Sequence, residues 1–274
     1  MKIRKIEREQ FDGKVYNFGT EDTHTYVAEG VVVHNCYQNS TLAGKHARMK
    51  DIRAIARACE KAEVFEVAIG GGEPTLHPEF IELLYIFADS NVVPNFTTKN
   101  PKWIAKNWLF IKDVVGGFAV SVTSEVEIHH LAQTIKGLDF GPGQVNLHFV
   151  MGLNNREQFD NMLRAAREYG YRVTLLGYKT FGRGNEVQPE NYDWWLDSIF
   201  STEGLDISID TALALQYHQQ ILDAGVPQYM FHTTEGRFSA YVDAVAMTLH
   251  PSSYDEEQSY DFNGLTWLTN FAKF

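Results

Sequence analysis

Val64-Phe65-Glu66-Val67-Ala68-Ile69-Gly70-Gly71-Gly72-Glu73-Pro74 is the stretch that decides the fold. A β-prone, mostly apolar run ends in three glycines, and residues 78–89 behind it carry a helical period. The same unit then recurs. Residues 92–97 precede a helix over 101–111, residues 117–122 one over 125–137, and residues 145–151 one over 155–169. Residues 171–176 form a fifth strand that runs into a glycine-bearing loop, 177–184. Strands that alternate with helices of this length pair in parallel through right-handed crossovers. Ahead of the first strand, residues 43–61 read as a helix, with Ala43, Ala47, Ile52, Ile55, Ala56 and Cys59 toward one side. Behind the fifth, residues 190–224 read as two helices around a short strand at 206–210. A strand at 238–244 and an irregular acidic loop at 251–261 follow. The expected class is α/β, with a barrel-like or doubly wound sheet.

Composition narrows the function. The chain has 274 residues, 44% hydrophobic and 22% charged, which is the balance of a folded globular protein. No apolar run approaches the roughly 20 residues that a membrane span needs. Residues 1–9, with Lys2, Arg4, Lys5 and Arg8 among Glu7 and Glu9, lack the apolar core of a secretory signal. A cytoplasmic protein with no membrane partner is expected. The two cysteines, Cys36 and Cys59, exclude a disulfide scaffold. A net charge of -11 speaks against nucleic acid as a partner, because neutralising phosphates takes a basic surface. The acidity is uneven: residues 1–35 hold five Lys/Arg against six Asp/Glu, so it lies almost wholly beyond them.

That first segment is different in texture. Residues 15–18, 23–27 and 31–33 read as short strands, with Glu29-Gly30 as a turn. A unit of this size cannot bury a core of its own and needs a partner. It ends in His34-Asn35-Cys36. An asparagine amide can attack its own backbone carbonyl and break the peptide bond that follows. A neighbouring histidine can move the proton, and a cysteine thiol can accept an acyl group.

With Val15-Tyr16-Asn17 and His24-Thr25-Tyr26 in register upstream, the run Glu29–Cys36 resembles the C-terminal end of an intein. The resemblance implies a small all-β (Hint) segment over residues 1–35. In it Asn35 cyclises with help from His24 and His34, and Cys36, the first host residue, accepts the acyl group. Asn17 departs from the family, many members of which carry Asp there. The expected partner is a complementary intein N-terminal fragment carrying the upstream host segment, as in a split intein. A contiguous intein in a longer gene is the alternative.

The part after Cys36 resembles a radical S-adenosylmethionine enzyme. The likeness rests on Gly70-Gly71-Gly72-Glu73-Pro74, on Thr97-Thr98-Lys99-Asn100, where the family often has Thr-Thr-Asn-Gly, and on Ser121 near the end of the third strand. It implies that Gly71, Gly72, Glu73 and Pro74 bind the methionine end of S-adenosylmethionine. Thr98 and Ser121 complete the cofactor site, Ser121 toward the ribose. The residue types suit this: glycines let backbone approach a ligand, and a carboxylate accepts hydrogen bonds from an ammonium group. Taken without its surroundings, the motif reads equally as a glycine turn stiffened by Pro74.

The family holds a [4Fe–4S] cluster with Cys-x-x-x-Cys-x-x-Cys, and Cys36 matches the third of these as the implied metal ligand. The implied fold is a partial (β/α)6 TIM-like barrel lacking its first strand, a domain over 36–274 with its core at about 36–185. Cys36 then serves two roles in turn, acyl acceptor and iron ligand, and the chain is silent until splicing restores the two missing cysteines. The spliced enzyme would draw on an electron donor and generate a 5′-deoxyadenosyl radical on an unknown substrate. A degenerate, non-enzymatic β/α binding domain is the alternative. A phosphate-binding hydrolase fits less well, since the glycine loop lacks a Gly-Lys-Ser/Thr ending.

Other residues carry weaker signals. Cys59, on an amphipathic helix, reads as buried packing. His129, His130, His148, His218, His232 and His250 show no ligand spacing. Lys179 and Arg183 follow the fifth strand, where they either meet a substrate or cofactor carboxylate or belong to a solvated loop. Trp194 and Trp195 read as core. Tyr241 and Asp243 lie on a late strand with no established role.

Overall fold

The computed structural model describes residues 45–141, 143–179, 189–236, 239–253 and 257–262. His24, His34, Asn35, Cys36, Arg183 and the whole of the expected Hint segment lie outside the described residues.

The expected strand and helix rhythm is present. Helix α1 (Met49–Lys61) leads into β1 (Glu66–Ile69), and α2 (Phe80–Asp89), β2 (Val93–Thr98) and α3 (Pro101–Ile111) follow. Next come β3 (Phe118–Ser121), α4 (Glu125–Thr134), β4 (Val145–Val150), α5 (Arg156–Glu168) and β5 (Arg172–Leu176). The short strand read at 206–210 is present as β6 (Ile207–Ile209), and it joins the five as a sixth strand, parallel to β5 through Val173, Thr174 and Leu175. The sheet order is β1-β2-β3-β4-β5-β6, every pair parallel. Sequential order with parallel pairing places every strand's C-terminal end on one rim.

Alternation along the strands separates two faces. Phe96, Phe118, Val120, Leu147, Phe149, Val173 and Leu175 are buried in the core with apolar residues of the helices, including Ile104, Trp108, Ile128, Leu131 and Leu163. Phe96 and Phe118, partners in register, stack with centroids 6.0 Å apart, and Trp108 and Phe140 meet Phe118 edge-on at 5.8 and 5.6 Å. Each such side chain contributes about 2 kcal/mol by leaving water, with an aromatic preference added to it. The opposite face carries small and polar residues instead: Asn95, Thr97, Ala119, Ser121, Asn146, His148, Thr174 and Ser208.

Helix ends follow local chemistry. Asn100, Ser124 and Asn155 each accept a hydrogen bond from a backbone N–H of the first turn, and Asn155 with Gln158 completes a capping box. Four readings need correction. The first helix starts at Met49 rather than residue 43, because the segment before it is tied to the loop after β1: His77 Nε2 donates to the Ala47 carbonyl at 3.0 Å, and the His46 and His77 rings meet edge-on. The helical stretch 190–224 is three short helices, α6 (Trp195–Phe200), α7 (Thr211–Gln216) and α8 (His218–Asp223), since Tyr217 turns out of line between the last two. Of the expected strand 238–244, Tyr241–Asp243 forms β7, and Asp243 Oδ1 accepts from the Val245 and Ala246 amides to turn the chain back. The loop 251–261 ends in β9 (Tyr260–Asp261), which completes a small antiparallel sheet with β7 and β8 (Thr248–His250).

Trp195 is buried and Trp194 packs against the core, as expected of both. Cys59 is buried too, and burial pushes its thiol up to about 12. No helix among the described residues is long and apolar enough to cross a membrane.

Candidate functional site

The glycine loop leaves β1 at the rim. Gly71 has φ +129, a conformation L side chains rarely adopt, and a Cβ there would find no atom within 4 Å. The loop is therefore both shaped by glycine and open above it. Pro74 then starts a single 3-10 turn, Pro74–Leu76, with Glu73 as its N-cap.

Glu73 is the centre of a clamp between two loops. Its Oε1 accepts from the Thr75 amide at 3.1 Å, the Thr75 hydroxyl at 2.7 Å and the Thr98 hydroxyl at 2.7 Å. Its Oε2 accepts from the Lys99 amide at 2.8 Å. An ionised carboxylate has about four acceptor positions, two on each oxygen. Oε1, with three donors crowded onto its two positions, has none to spare, and Oε2, with one donor, has one left. The carboxylate is thus oriented by its own neighbours with one oxygen available to a donor.

Thr98 and Asn100 lock the second loop. Thr98 Oγ1 accepts from the Asn100 amide at 2.9 Å, and Asn100 Oδ1 accepts from the Trp103 amide at 3.1 Å to cap α3. This explains the departure at Lys99: the residue contributes its backbone N–H, which any side chain would leave in place. Gly71, Gly72, Glu73, Pro74 and Thr98 are thereby brought together at adjoining strand ends. Ser121 closes β3 one strand further on, and its Cα partner in β4 is His148. Cys36 lies outside the described residues.

Along the same rim, Asp210 was not singled out from sequence. It follows β6, is buried, and caps α7: Oδ1 accepts from the Leu213 amide at 2.8 Å and from the Gly177 amide at 2.9 Å. Its Oδ2 lies 3.1 Å from Lys179 Nζ. Lys179 is therefore anchored to a buried carboxylate rather than extended into solvent. Gly177 must lack a Cβ because that atom would sit 2.6 Å from the Leu213 nitrogen. The sequence signal for Asp210 was a capping residue directly before an apolar helix.

Deeper on the same face, polar side chains join β4, β5 and β6. Asn146 Nδ2 donates to Thr174 Oγ1 at 2.8 Å and lies 3.3 Å from His148 Nε2, while Thr174 Oγ1 and Ser208 Oγ are 2.9 Å apart. Burial lowers His148 to about 3, so the imidazole is neutral. Among the described residues no three His, Cys, Asp or Glu side chains are grouped to hold a metal ion. His129 instead bonds the Tyr169 hydroxyl at 2.8 Å.

Comparison with known proteins follows the same lines. No family model matches the chain. It is 25% identical over 179 residues to the mycofactocin maturase MftC of Mycobacterium ulcerans, covering 61% of this chain and 48% of that protein. Against the mycofactocin maturase MftC of Mycolicibacterium smegmatis it is 23% identical over 213 residues, 66% of this chain and 54% of the relative. The chain thus spans about half the length of these curated relatives. Streptococcus suis SuiB bound to the precursor peptide SuiA superposes with a TM-score of 0.60 at 15% identity, covering 83% of this chain and 60% of SuiB. SuiB bound to S-adenosylmethionine superposes at 0.56 and 14% identity, covering 85% and 61%. The fold is that of the matched part of SuiB, about 60% of its length. Homology to these maturases supports the radical S-adenosylmethionine enzyme reading of the part after Cys36, and none of the comparisons points to an intein.

Proposed function

We propose that the barrel belongs to a radical S-adenosylmethionine enzyme that modifies a peptide, and that residues 1–35 are an intein fragment that splices an upstream segment onto Cys36. The observation that carries the first half is the Glu73 clamp beneath an open glycine loop. It presents one free acceptor position where backbone leaves room, which suits the ammonium end of a methionine-like ligand. Gly71, Gly72, Glu73 and Pro74 would hold that end, Thr98 fixes the carboxylate, and Ser121 faces the ribose. Cys36 would supply one thiolate of a [4Fe–4S] cluster. When bound, cluster and cofactor supply the one-electron chemistry and a 5′-deoxyadenosyl radical that takes hydrogen from the substrate; the protein supplies position and exclusion of water. The peptide substrate is suggested by the relatives, maturases and a protein bound to a precursor peptide.

The splicing half rests on His24, His34, Asn35 and Cys36 in intein register. The upstream acyl group passes to the Cys36 thiol, Asn35 cyclises with His24 and His34 assisting, and an S-to-N shift leaves an ordinary peptide bond. The partners are a complementary N-terminal intein fragment and an electron donor.

One experiment tests both halves. The full chain is mixed with a polypeptide carrying an intein N-terminal half behind a host segment that ends Cys-x-x-x-Cys-x-x. A ligated product that binds iron and S-adenosylmethionine is the expected result. No ligation overturns the splicing half, and a ligated product that binds no S-adenosylmethionine overturns the enzyme half.

A further inference from the structure

Two buried polar atoms on the inner face of β4 have no hydrogen-bond partner among the described residues. They are Asn146 Oδ1 and His148 Nδ1. His148 is 4% exposed. Strand alternation puts both side chains on the face away from the helical core, with Val145, Leu147 and Phe149 buried on the other. An unpaired polar atom in such a place costs about 1–3 kcal/mol, and a second one beside it doubles the reason to look for what satisfies them.

What they already touch couples their hydrogen-bonding characters. With Asn146 Nδ2 directed to Thr174 Oγ1 and to His148 Nε2, Oδ1 is the open acceptor and the neutral imidazole carries its proton on Nδ1, an open donor. With the amide turned over and the other tautomer, the two roles exchange, and the pair again offers one donor and one acceptor. A donor and an acceptor two residues apart on one strand complement a group that offers one of each. A secondary amide does so with its C=O and N–H. The support behind them is rigid, because Asn146, Thr174 and Ser208 are linked side chain to side chain across three strands.

The position separates this pair from the glycine loop. β4 is two strands from β2, roughly 10 Å at the usual strand spacing, so the pair does not share a ligand group with Glu73. His148 stands next to Ser121 in register, which puts the pair beside the cofactor site and deeper in the sheet.

We propose that Asn146 and His148 form a binding subsite for a backbone amide of the peptide substrate. This rests on the peptide-modifying reading above. The pair would fix one peptide unit of the substrate and so determine which residue lies nearest the cofactor.

The test uses the full chain labelled with 15N-histidine, the His148 signals being assigned by their loss in His148→Gln. N-acetylglycine methylamide, a small molecule with peptide amides only, is titrated in. The expected result is a saturable shift of the His148 Nδ1 resonance, weakened about tenfold in Asn146→Leu. A resonance that does not move, or an Nδ1–H that exchanges freely with water, overturns the proposal. So does a resonance moved by S-adenosylmethionine but not by the amide, which would assign the pair to the cofactor. Failure of the ligated product to bind S-adenosylmethionine, measured separately by equilibrium dialysis, would sink the enzyme reading while leaving the amide response to be read independently.

Discussion

Thr98 donates its hydroxyl proton to Glu73 Oε1 across 2.7 Å, joining the loop after β1 to the last residue of β2. The bond is buried on the Thr98 side, at 2% exposure, and it settles which carboxylate oxygen is occupied and which remains available. Replacing Thr98 by Val keeps the shape of the strand and removes only the donor. Affinity for S-adenosylmethionine is expected to fall about tenfold in Thr98→Val, and further in Glu73→Gln, where the charge is lost as well. Equilibrium dialysis with the ligated forms of the parent and both variants checks this; equal binding by all three proteins would show that Glu73 does not hold the ligand.

His148 gives the fold an acid-sensitive point. Its folded value is lowered to about 3 by burial, below an ordinary value near 6.5. Between those limits the unfolded chain binds a proton that the folded chain does not, so stability rises with pH across that window and is lost as pH falls through it. The slope of unfolding free energy against pH between about 3 and 6.5 should decrease by close to one proton in His148→Gln. Urea unfolding at several pH values measures it, and an unchanged slope would contradict the buried neutral imidazole.

Cys59 should be chemically silent. Its thiol is buried and pushed up to about 12 from an ordinary value near 9.0, so thiolate is scarce at neutral pH. Iodoacetamide at pH 8 is expected to leave Cys59 unmodified in the native chain and to reach it only after denaturation. Mass spectrometry of the digested protein distinguishes the two states. The same shift makes stability decline as pH rises from about 9 toward about 12, because there the unfolded thiol is ionised and the folded one is not.

Asp210 holds the far rim together. It joins the Gly177 and Leu213 amides and lies beside the Lys179 ammonium from a site that is 2% exposed. Asp210→Ala leaves two backbone donors and a lysine without their acceptor, and is expected to cost about 3 kcal/mol. Asp210→Asn keeps the cap and should cost less. Denaturant midpoints give the comparison, and a midpoint within error of the parent protein for Asp210→Ala would remove the anchoring role.

The strand and helix rhythm was legible in residues 64–176 because each apolar run and each helical period is local. Parallel pairing followed from connection length, whereas the sequential strand order did not, because the same rhythm suits a barrel-like or a doubly wound sheet. The glycine loop and Thr98 were legible for the same reason, since turn glycines and a carboxylate in fixed spacing need no tertiary knowledge to be noticed. Three things were not local. The start of α1 depends on His77, thirty positions away, reaching back to Ala47. The roles of Asp210 and Lys179 depend on β5 and β6 lying side by side. The open atoms of Asn146 and His148 exist only because Thr174 and the sheet register consume their other valences. Sequence by itself determined which segments fold and where chemistry is written along the chain, because propensity and spacing act over a few residues. The tertiary structure alone decided which polar atoms are spent on one another and which are left to a ligand, because hydrogen bonds saturate and only the assembled sheet says who reaches whom.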